Sequence, residues 1–91
     1  MGVVWHVYVL LSQKDNKFYV GSTNGLKRRV KEHQAGKNIS TSKRLPLELI
    51  YYEAHTSKAD ALRREKYYKT TNGKTTLKQI LRDALNVPKS K

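Results

Sequence analysis

Four polar side chains near the start of the sequence have the types and spacings that chemistry requires. Tyr8 lies in one short apolar segment, and Tyr19 lies in the next, two residues before Gly21. Arg29 and His33 are four residues apart, so they face the same way on a helix. A guanidinium presents paired donors to phosphate oxygens. A phenol, with a pKa of about 10, accepts a proton near neutral pH only if that pKa is lowered or a relay is present.

A fifth candidate, Glu65, is a carboxylate on the apolar side of a predicted helix. It follows Leu62 by three residues and Ala61 by four. An unpaired carboxylate in that position is costly, so it needs a cation, a hydrogen-bond donor or a metal ion as its partner. Lys69 and Arg29 are the candidate ion-pair partners within the chain.

Each of these residues also has an ordinary structural explanation. A tyrosine in a strand is more often part of the core than catalytic. Arg29 can be one more solvated base, and His33 can cap the last carbonyls of its helix. Taken singly, the residues favour these structural roles, and only their combination points to chemistry.

The elements that must position these side chains follow from hydrophobic periodicity and turn signals. Residues 3–11 and 17–21 are rich in β-branched and aromatic side chains and predict two strands. Their short polar connection favours an antiparallel hairpin, which brings the two tyrosines close together. A helix is predicted over 25–35, with Asn24 as its N-cap and Gly36 as its stop.

The second half of the chain predicts one more strand and two helices. Residues 47–53 follow a polar, basic loop and predict the third strand. Ser57 with Asp60 resembles a capping box, and the helix that follows runs to about Lys69. Residues 70–73 break that helix, and a last helix follows before Pro88. The apolar positions of these two helices are Ala59, Ala61, Leu62, Tyr68, Leu77, Ile80, Leu81, Ala84 and Leu85.

This order, ββαβαα, predicts an α+β fold in which three helices flank a small three-stranded antiparallel sheet. Residues 1–86 are expected to form one domain and 87–91 a basic tail. The longest apolar run, residues 7–11, is far too short to span a membrane, and no basic segment precedes it. We therefore expect a cytoplasmic protein without a membrane partner. The absence of cysteine excludes a disulfide scaffold, a thiol nucleophile and a Cys-ligated zinc site.

The charge of the chain favours a polyanionic partner. Among 91 residues, 19 are Lys or Arg and 7 are Asp or Glu, which gives a net charge of +12. Residues 24–47 carry seven bases against Glu32 alone, and residues 57–91 carry ten bases. Nucleic acid is the default partner for such a pattern. With so few acids, a two-metal site built from clustered carboxylates is not expected.

Five short motifs occur along the chain in a fixed order. They are Val7-Tyr8-Val9, Tyr19-Val20-Gly21, Leu26-x-x-Arg29-Val30-x-x-His33, Pro46-Leu47-x-Leu49-Ile50-Tyr51-Tyr52-Glu53 and Ala61-Leu62-Arg63-Arg64-Glu65-Lys66-x-x-Lys69. This ordered set resembles the GIY-YIG nuclease domain from about residue 4 to residue 84. It is similar in particular to the small stand-alone members that look like the N-terminal nuclease domain of an excinuclease.

The sequence departs from the family pattern in two places. The first motif has His6 where the family has glycine, and Val replaces Ile in both motifs. Both tyrosines and the glycine of the second motif are kept. Many members carry an asparagine beyond the glutamate. Asn72 and Asn86 are the candidates here, and neither falls in a clear match.

The resemblance implies an endonuclease that hydrolyses phosphodiester bonds with one divalent ion, Mg²⁺ or Mn²⁺. The nucleic acid would be DNA rather than RNA, cut in a structure-directed or weakly sequence-specific way, as in repair or recombination. Glu65 would bind the ion, and Arg29 would face the scissile phosphate. Tyr8 or Tyr19 would accept a proton from the attacking water, with its pKa lowered by the arginine, the metal and the basic neighbours. His33 would orient a tyrosine or the phosphate, or share the proton transfer.

The same resemblance gives six bases a role. The residues expected to hold the nucleic-acid backbone without reading bases are Lys27, Lys31, Lys37, Lys43, Arg44 and Lys69. Gly21 has a structural reason of its own: it ends the predicted second strand, where a glycine permits a positive φ or the close approach of a phosphate. Two other interpretations stay open: a non-catalytic basic nucleic-acid-binding module, and a subunit of a repair or ribonucleoprotein complex. A protein partner for targeting and the oligomeric state are left open.

Overall fold

The computed structural model describes residues 2–86 of the chain. Its elements are β1 (Trp5–Ser12), β2 (Phe18–Thr23), α1 (Leu26–Gln34), β3 (Leu47–His55), α2 (Lys58–Tyr68), α3 (Thr71–Ile80) and α4 (Arg82–Leu85). The predicted α+β fold is confirmed, with a short fourth helix added. The predicted basic tail, 87–91, lies outside the described residues. No helix within 2–86 is long and apolar enough to cross a membrane.

β1 is the central strand of the sheet. The strand order is β2-β1-β3, and both pairings are antiparallel, as the predicted hairpin requires. Because side chains alternate along a strand, Val7 and Val9 lie on one face while Tyr8 and Leu10 lie on the other. All four are buried. A strand buried on both faces gives the uninterrupted apolar run seen in the sequence.

Helices cover both faces of this sheet. On the Val7 face, α2 and α3 contribute Ala61 and Leu77 to one core cluster. On the Tyr8 face, α1 contributes Val30 to a second cluster. Tyr8 therefore lies between the sheet and α1, whereas the helix that carries the candidate glutamate packs on the opposite face.

The predicted helix ends are partly correct. Ser57 caps α2, since its hydroxyl accepts a hydrogen bond from the Asp60 N–H at 3.3 Å. Gly36 follows α1 with a φ of +76°, a left-handed conformation that favours glycine at a helix end. The N-cap prediction for α1 was wrong: Gly25, not Asn24, occupies that position, and no side chain caps the first turn.

The apolar faces predicted for the C-terminal helices need correction. Ala59, Leu62, Ile80 and Ala84 are exposed. In α2 the buried positions are Ala61 and Tyr68, with Glu65 between them. These residues are four and three apart, so they form the inward stripe, and Leu62 faces solvent beside it.

The break between α2 and α3 is shorter than predicted. Thr70 is the N-cap of α3, and its hydroxyl accepts from the Gly73 N–H at 3.0 Å. Gly73 therefore lies inside α3, where a Cβ would overlap the carbonyl oxygen of Tyr67. The missing side chain lets α3 begin directly against the end of α2. The predicted last helix is divided at Leu81 into α3 and α4.

Glu53 on β3 ties α2 to the sheet. Its carboxylate accepts hydrogen bonds from Arg64 at 3.0 and 3.1 Å and from Tyr51 and His55 at 3.0 Å, and it also accepts from the Tyr68 hydroxyl. Burial alone would raise the pKa of Glu53. The hydrogen bonds, that from Arg64 above all, outweigh burial and lower the pKa to about 2. The carboxylate is thus ionised and fully partnered in the interior.

We expect Glu53→Gln to lower the free energy of unfolding at pH 7 by roughly 1–2 kcal/mol, because it leaves Arg64, whose side chain is 40% exposed, without the counter-charge of the largely buried Glu53. A depressed pKa stabilises the fold above the ordinary carboxyl pKa of 4.5, and that contribution is lost as the pH falls towards about 2. Urea unfolding of wild type and variant at pH 7, 4.5 and 3 measures the difference, which should shrink as the pH falls.

Asp15 titrates in the same acidic range, because a hydrogen bond from Arg44 lowers its pKa to about 2. The difference between the two proteins, rather than the wild-type curve alone, therefore isolates Glu53. Equal free energies of unfolding at pH 7 would contradict the proposed tie.

Candidate active site

A buried chain of hydrogen bonds runs from β1 through α1 into the following loop. The Tyr8 hydroxyl lies 2.9 Å from Nε2 of His33, and Nδ1 of the same ring lies 2.7 Å from the Thr41 hydroxyl. All three side chains are buried. Both nitrogens of the imidazole are therefore engaged, and the chain joins the central strand to α1.

Electrostatics fixes the direction of this chain. Burial lowers the pKa of His33, and the nearby Arg29 charge lowers it further, so the imidazole is neutral at pH 7. Burial also raises the pKa of Tyr8 to about 12, so the phenol is protonated. The Tyr8 hydroxyl then donates to Nε2, and the Nδ1–H donates to Thr41.

The net shift in the pKa of Tyr8 in the free protein is opposite in sign to the lowering expected when the arginine, a bound metal ion and the basic neighbours act together. Burial and the neighbouring Tyr19 raise the pKa of Tyr8. Arg29 acts in the opposite direction, through a hydrogen bond and its charge, but it is outweighed and the net shift is upward. In the free protein Tyr8 is therefore a poor base by itself, and it loses a proton only to a group that takes it in the same step. His33 is in contact and is neutral.

Tyr19 and Arg29 complete the cluster, as the hairpin and the helix face predicted. The Tyr19 ring lies 5.0 Å from the His33 ring and 6.4 Å from the Tyr8 ring, measured between centroids. Arg29 is about one-third exposed and pairs with Glu32, Nε to Oε1, at 3.3 Å. The arginine is thus the cationic group of the cluster that remains accessible to an anion from solvent.

Gly21 makes room for the Tyr8 phenol. The two residues are directly opposite in the β1–β2 register. A Cβ on Gly21 would lie 2.5 Å from the Tyr8 hydroxyl oxygen. Gly21 is not among the residues with positive φ. The glycine is therefore explained by close approach, as predicted, but the group that approaches in this structure is a phenol.

Glu65 reaches the same region from α2. Its Oε1 accepts from the Ser22 hydroxyl at 2.5 Å, and its Oε2 pairs with the Lys69 ammonium at 2.8 Å. The predicted partner Lys69 is confirmed, and the Glu65 side chain is 19% exposed. The negative charge of Glu65 contributes to the raised pKa of Tyr8. The glutamate is therefore electrostatically coupled to the tyrosine cluster.

The donor set around Glu65 fits a hard divalent cation. Carboxylate and hydroxyl oxygens are the ligands that Mg²⁺ prefers, and this ion commonly keeps most of its water. Among residues 2–86, no three His, Cys, Asp or Glu side chains group closely enough to hold a metal ion. Glu65, next to the Ser22 hydroxyl, is the carboxylate of this region that would hold such an ion.

The six bases predicted to hold the backbone fall into three settings. Lys27, Lys31 and Lys37 line one shallow depression on the outer side of α1. Lys43 lies in the loop before β3, and Lys69 pairs with Glu65.

The sixth base, Arg44, is held by the fold. Its Nε pairs with Asp15 at 2.8 Å, and its Nη2 donates to the carbonyl oxygens of Lys17 and Phe18. The guanidinium therefore ties the loop before β3 to the β1–β2 turn, in addition to any role towards a ligand.

Sequence reasoning missed two residues of this region, Ser22 and Thr41. Ser22 directly follows Gly21, and its position in the second motif was the available signal. Thr41 lies in the polar loop between α1 and β3, where nothing in the spacing points to the interior. Both became visible only through the contacts of Glu65 and His33.

We expect Gly21→Ala to displace the Tyr8 phenol and break its hydrogen bond to His33, because the new methyl overlaps the hydroxyl. The pKa of His33 should then rise towards its ordinary value of about 6.5 as the ring gains access to water. A histidine-ring NMR titration measures it.

Gly25→Ala is the matched control for this test. The three atoms nearest to its Cβ belong to the Arg28 side chain, whose exposed guanidinium can move away. A His33 titration in Gly21→Ala that equals the wild type would contradict the assigned packing.

Comparison with known proteins identifies the family. The family model described as the GIY-YIG catalytic domain matches residues 4–78. The UPF0213 protein YazA of Bacillus subtilis is 42% identical over 65 residues, which cover 70% of this chain and 66% of that protein, just under two thirds of its length. The UPF0213 protein SH2523 of Staphylococcus haemolyticus is 38% identical over 76 residues, which cover 82% of this chain and 93% of that protein.

A solved structure agrees with these relatives. The solution NMR structure of the UPF0213 protein BH0048 from Bacillus halodurans is similar with a TM-score of 0.54 and 34% identity, over 85% of this chain and 84% of that one. GIY-YIG domains are nuclease domains that bind DNA and generally use a divalent metal. On the matches to its sequence and its fold, this chain belongs to the GIY-YIG nuclease family, within the UPF0213 group.

Proposed function

We propose that this chain is a divalent-metal-dependent endonuclease that hydrolyses phosphodiester bonds in DNA. The observation that carries the proposal is the buried Tyr8–His33–Thr41 chain, with Arg29 and Glu65 close enough to act on the pKa of Tyr8. A binding surface alone needs bases, and it has no use for a neutral imidazole behind a phenol or for a carboxylate among the bases. The family membership supports the same reaction.

The proton path follows from the protonation states of the site. Water attacking phosphorus must lose a proton, and the Tyr8 oxygen accepts it while the phenol proton passes to Nε2 of His33. The phenol then never has to exist as a free phenolate, which its raised pKa would oppose. Thr41 stabilises the imidazolium that forms, because its hydroxyl oxygen accepts from the Nδ1–H.

This path ranks the two tyrosines. Tyr8 hydrogen-bonds to His33 and is proposed as the residue that takes the proton from water. Tyr19 packs on the His33 ring and is proposed to hold the imidazole in place. Of the roles open to His33 from the sequence, shared proton transfer is the one that this geometry favours.

Two groups would neutralise negative charge on the scissile phosphate: the Arg29 guanidinium and a divalent ion at Glu65. Arg29 offers paired guanidinium donors to the non-bridging oxygens. Glu65, next to the Ser22 hydroxyl, is the residue proposed to hold Mg²⁺ or Mn²⁺. Such an ion, when bound, stabilises charge on the leaving oxygen.

The lysines and Arg44 would contact the backbone without reading bases, which supports structure-directed or weakly sequence-specific cutting of the repair or recombination type. Three of these bases, Lys27, Lys31 and Lys37, line one depression beside α1. Salt-sensitive binding with little sequence preference is expected from such a surface.

Glu65→Ala should lower cleavage of DNA by about 10³-fold while DNA binding is kept or strengthened, because it removes a negative charge and the proposed metal ligand. Cleavage with Mg²⁺ and binding in EDTA are measured on the same labelled DNA. Asp83→Ala removes one fully exposed carboxylate and is the matched control. Loss of binding together with cleavage, or unchanged cleavage, would contradict the role of Glu65.

The rate of cleavage should rise with pH through the pKa of His33 and become flat near neutrality. Only the neutral imidazole accepts a proton, and burial places its pKa below the usual 6.5. His33→Gln should lower the rate by about 10²-fold and remove the acidic limb. The profile is measured with saturating Mg²⁺ from pH 5 to pH 8. If the acidic limb of the pH–rate profile persists in His33→Gln, a group other than His33 causes it, which would contradict this role.

A further inference from the structure

Both oxygens of Glu65 are occupied by groups of the protein itself. The Ser22 hydroxyl donates a hydrogen bond to Oε1 at 2.5 Å, and the Lys69 ammonium lies 2.8 Å from Oε2. Glu65 is the carboxylate proposed to bind the divalent ion, so its free state is already neutralised by an internal cation. Nothing in the proposed reaction uses the Lys69–Glu65 pair.

A divalent ion and the Lys69 ammonium compete for the same charge. An ion on a Glu65 oxygen would lie within a few ångströms of the ammonium, and like charges at that distance repel strongly. The Ser22 hydroxyl is neutral and can remain while the ion binds. Lys69 is therefore the group that must leave.

The structure makes that departure easy. The Lys69 side chain is 53% exposed, whereas the Glu65 side chain is only 19% exposed. Lys69 directly follows α2, four residues after Glu65, so the lysine stem can swing outwards without any change in the backbone. Once released, the ammonium is still one helical turn from the site, where a phosphodiester would arrive.

We propose that Lys69 is the internal counter-ion of Glu65, which holds this carboxylate in the metal-free protein and yields its place to the divalent ion. The inference rests on the proposed function, because it takes Glu65 as the metal-binding residue. Lys69 thereby sets the metal affinity of the free protein: it holds the Glu65 carboxylate in position and weakens binding of the ion. The freed Lys69 ammonium then contacts the phosphate backbone of the nucleic acid.

The test is a titration with Mg²⁺ alone, at constant ionic strength and without nucleic acid. The amide ¹H–¹⁵N shifts of Ser22 and Glu65 report binding at this site residue by residue. Lys69→Met keeps the length of the side chain and removes both its charge and its donors. The matched control is Lys66→Met, which removes one charge from an exposed position of α2, next to Glu65.

Lys69→Met should bind Mg²⁺ about two- to fivefold more tightly than Lys66→Met, the range expected when a competing ion pair of this exposure is removed. Equal affinities of the two variants would overturn the role of Lys69. Glu65→Gln tests the proposed function separately. If Mg²⁺ no longer shifts the amide signals of residues 22 and 65 in this variant, Glu65 is the ligand of the ion. Unchanged binding in Glu65→Gln would overturn both the metal role of Glu65 and the inference built on it.

Discussion

The hydrogen bond between the Tyr8 phenol and the His33 imidazole is the interaction on which the site depends. It lies between the central strand and α1, where Tyr8 is 1% exposed and His33 is fully buried. A polar pair in that position is tolerated because each group satisfies the other and Thr41 satisfies the remaining ring nitrogen. The same burial that makes the contact stable keeps the imidazole neutral and the phenol protonated. Burial of this hydrogen-bonded pair thus both stabilises the fold and sets the protonation states of Tyr8 and His33.

The second constraint is the position of α2, which must bring Glu65 to the edge of a sheet whose other face carries the tyrosines. The helix is held at two strands. Glu53 on β3 binds Arg64 and Tyr68, and Ser22 on β2 binds Glu65. Because these contacts lie on the two edge strands, α2 spans the sheet and cannot slide along it without breaking the partly buried Glu53–Arg64 ion pair. The glutamate is placed by the fold rather than by a flexible loop.

Much of this arrangement follows from the sequence, because the relevant signals are local. Alternation and turn residues define the hairpin, which brings Tyr8 beside Tyr19, and the four-residue spacing puts Arg29 and His33 on one helix face. The predicted pair of Glu65 with Lys69 is likewise a relation between near neighbours in the chain. The sequence also resembles the family to which the comparisons assign the chain.

What the sequence does not predict depends on tertiary context. The exposure of Leu62 follows from the direction in which α2 crosses the sheet, and the position of Gly73 inside α3 follows from how closely two helices meet. The upward shift in the pKa of Tyr8 depends on burial, which the sequence does not give; Arg29 acts downward, as expected, but is outweighed in the free protein. Thr41 enters the site from a loop that carries no periodic signal.

The most direct test of the central claim is a cleavage assay of the wild-type chain on labelled single-stranded, duplex, nicked and branched DNA, each with Mg²⁺, Mn²⁺ or EDTA. We expect cleavage of at least one of these substrates in the presence of Mg²⁺ or Mn²⁺ and no cleavage in EDTA. Binding to the DNA without cuts in either metal would contradict it and would favour a basic nucleic-acid-binding module, or a component of a complex whose activity depends on a partner.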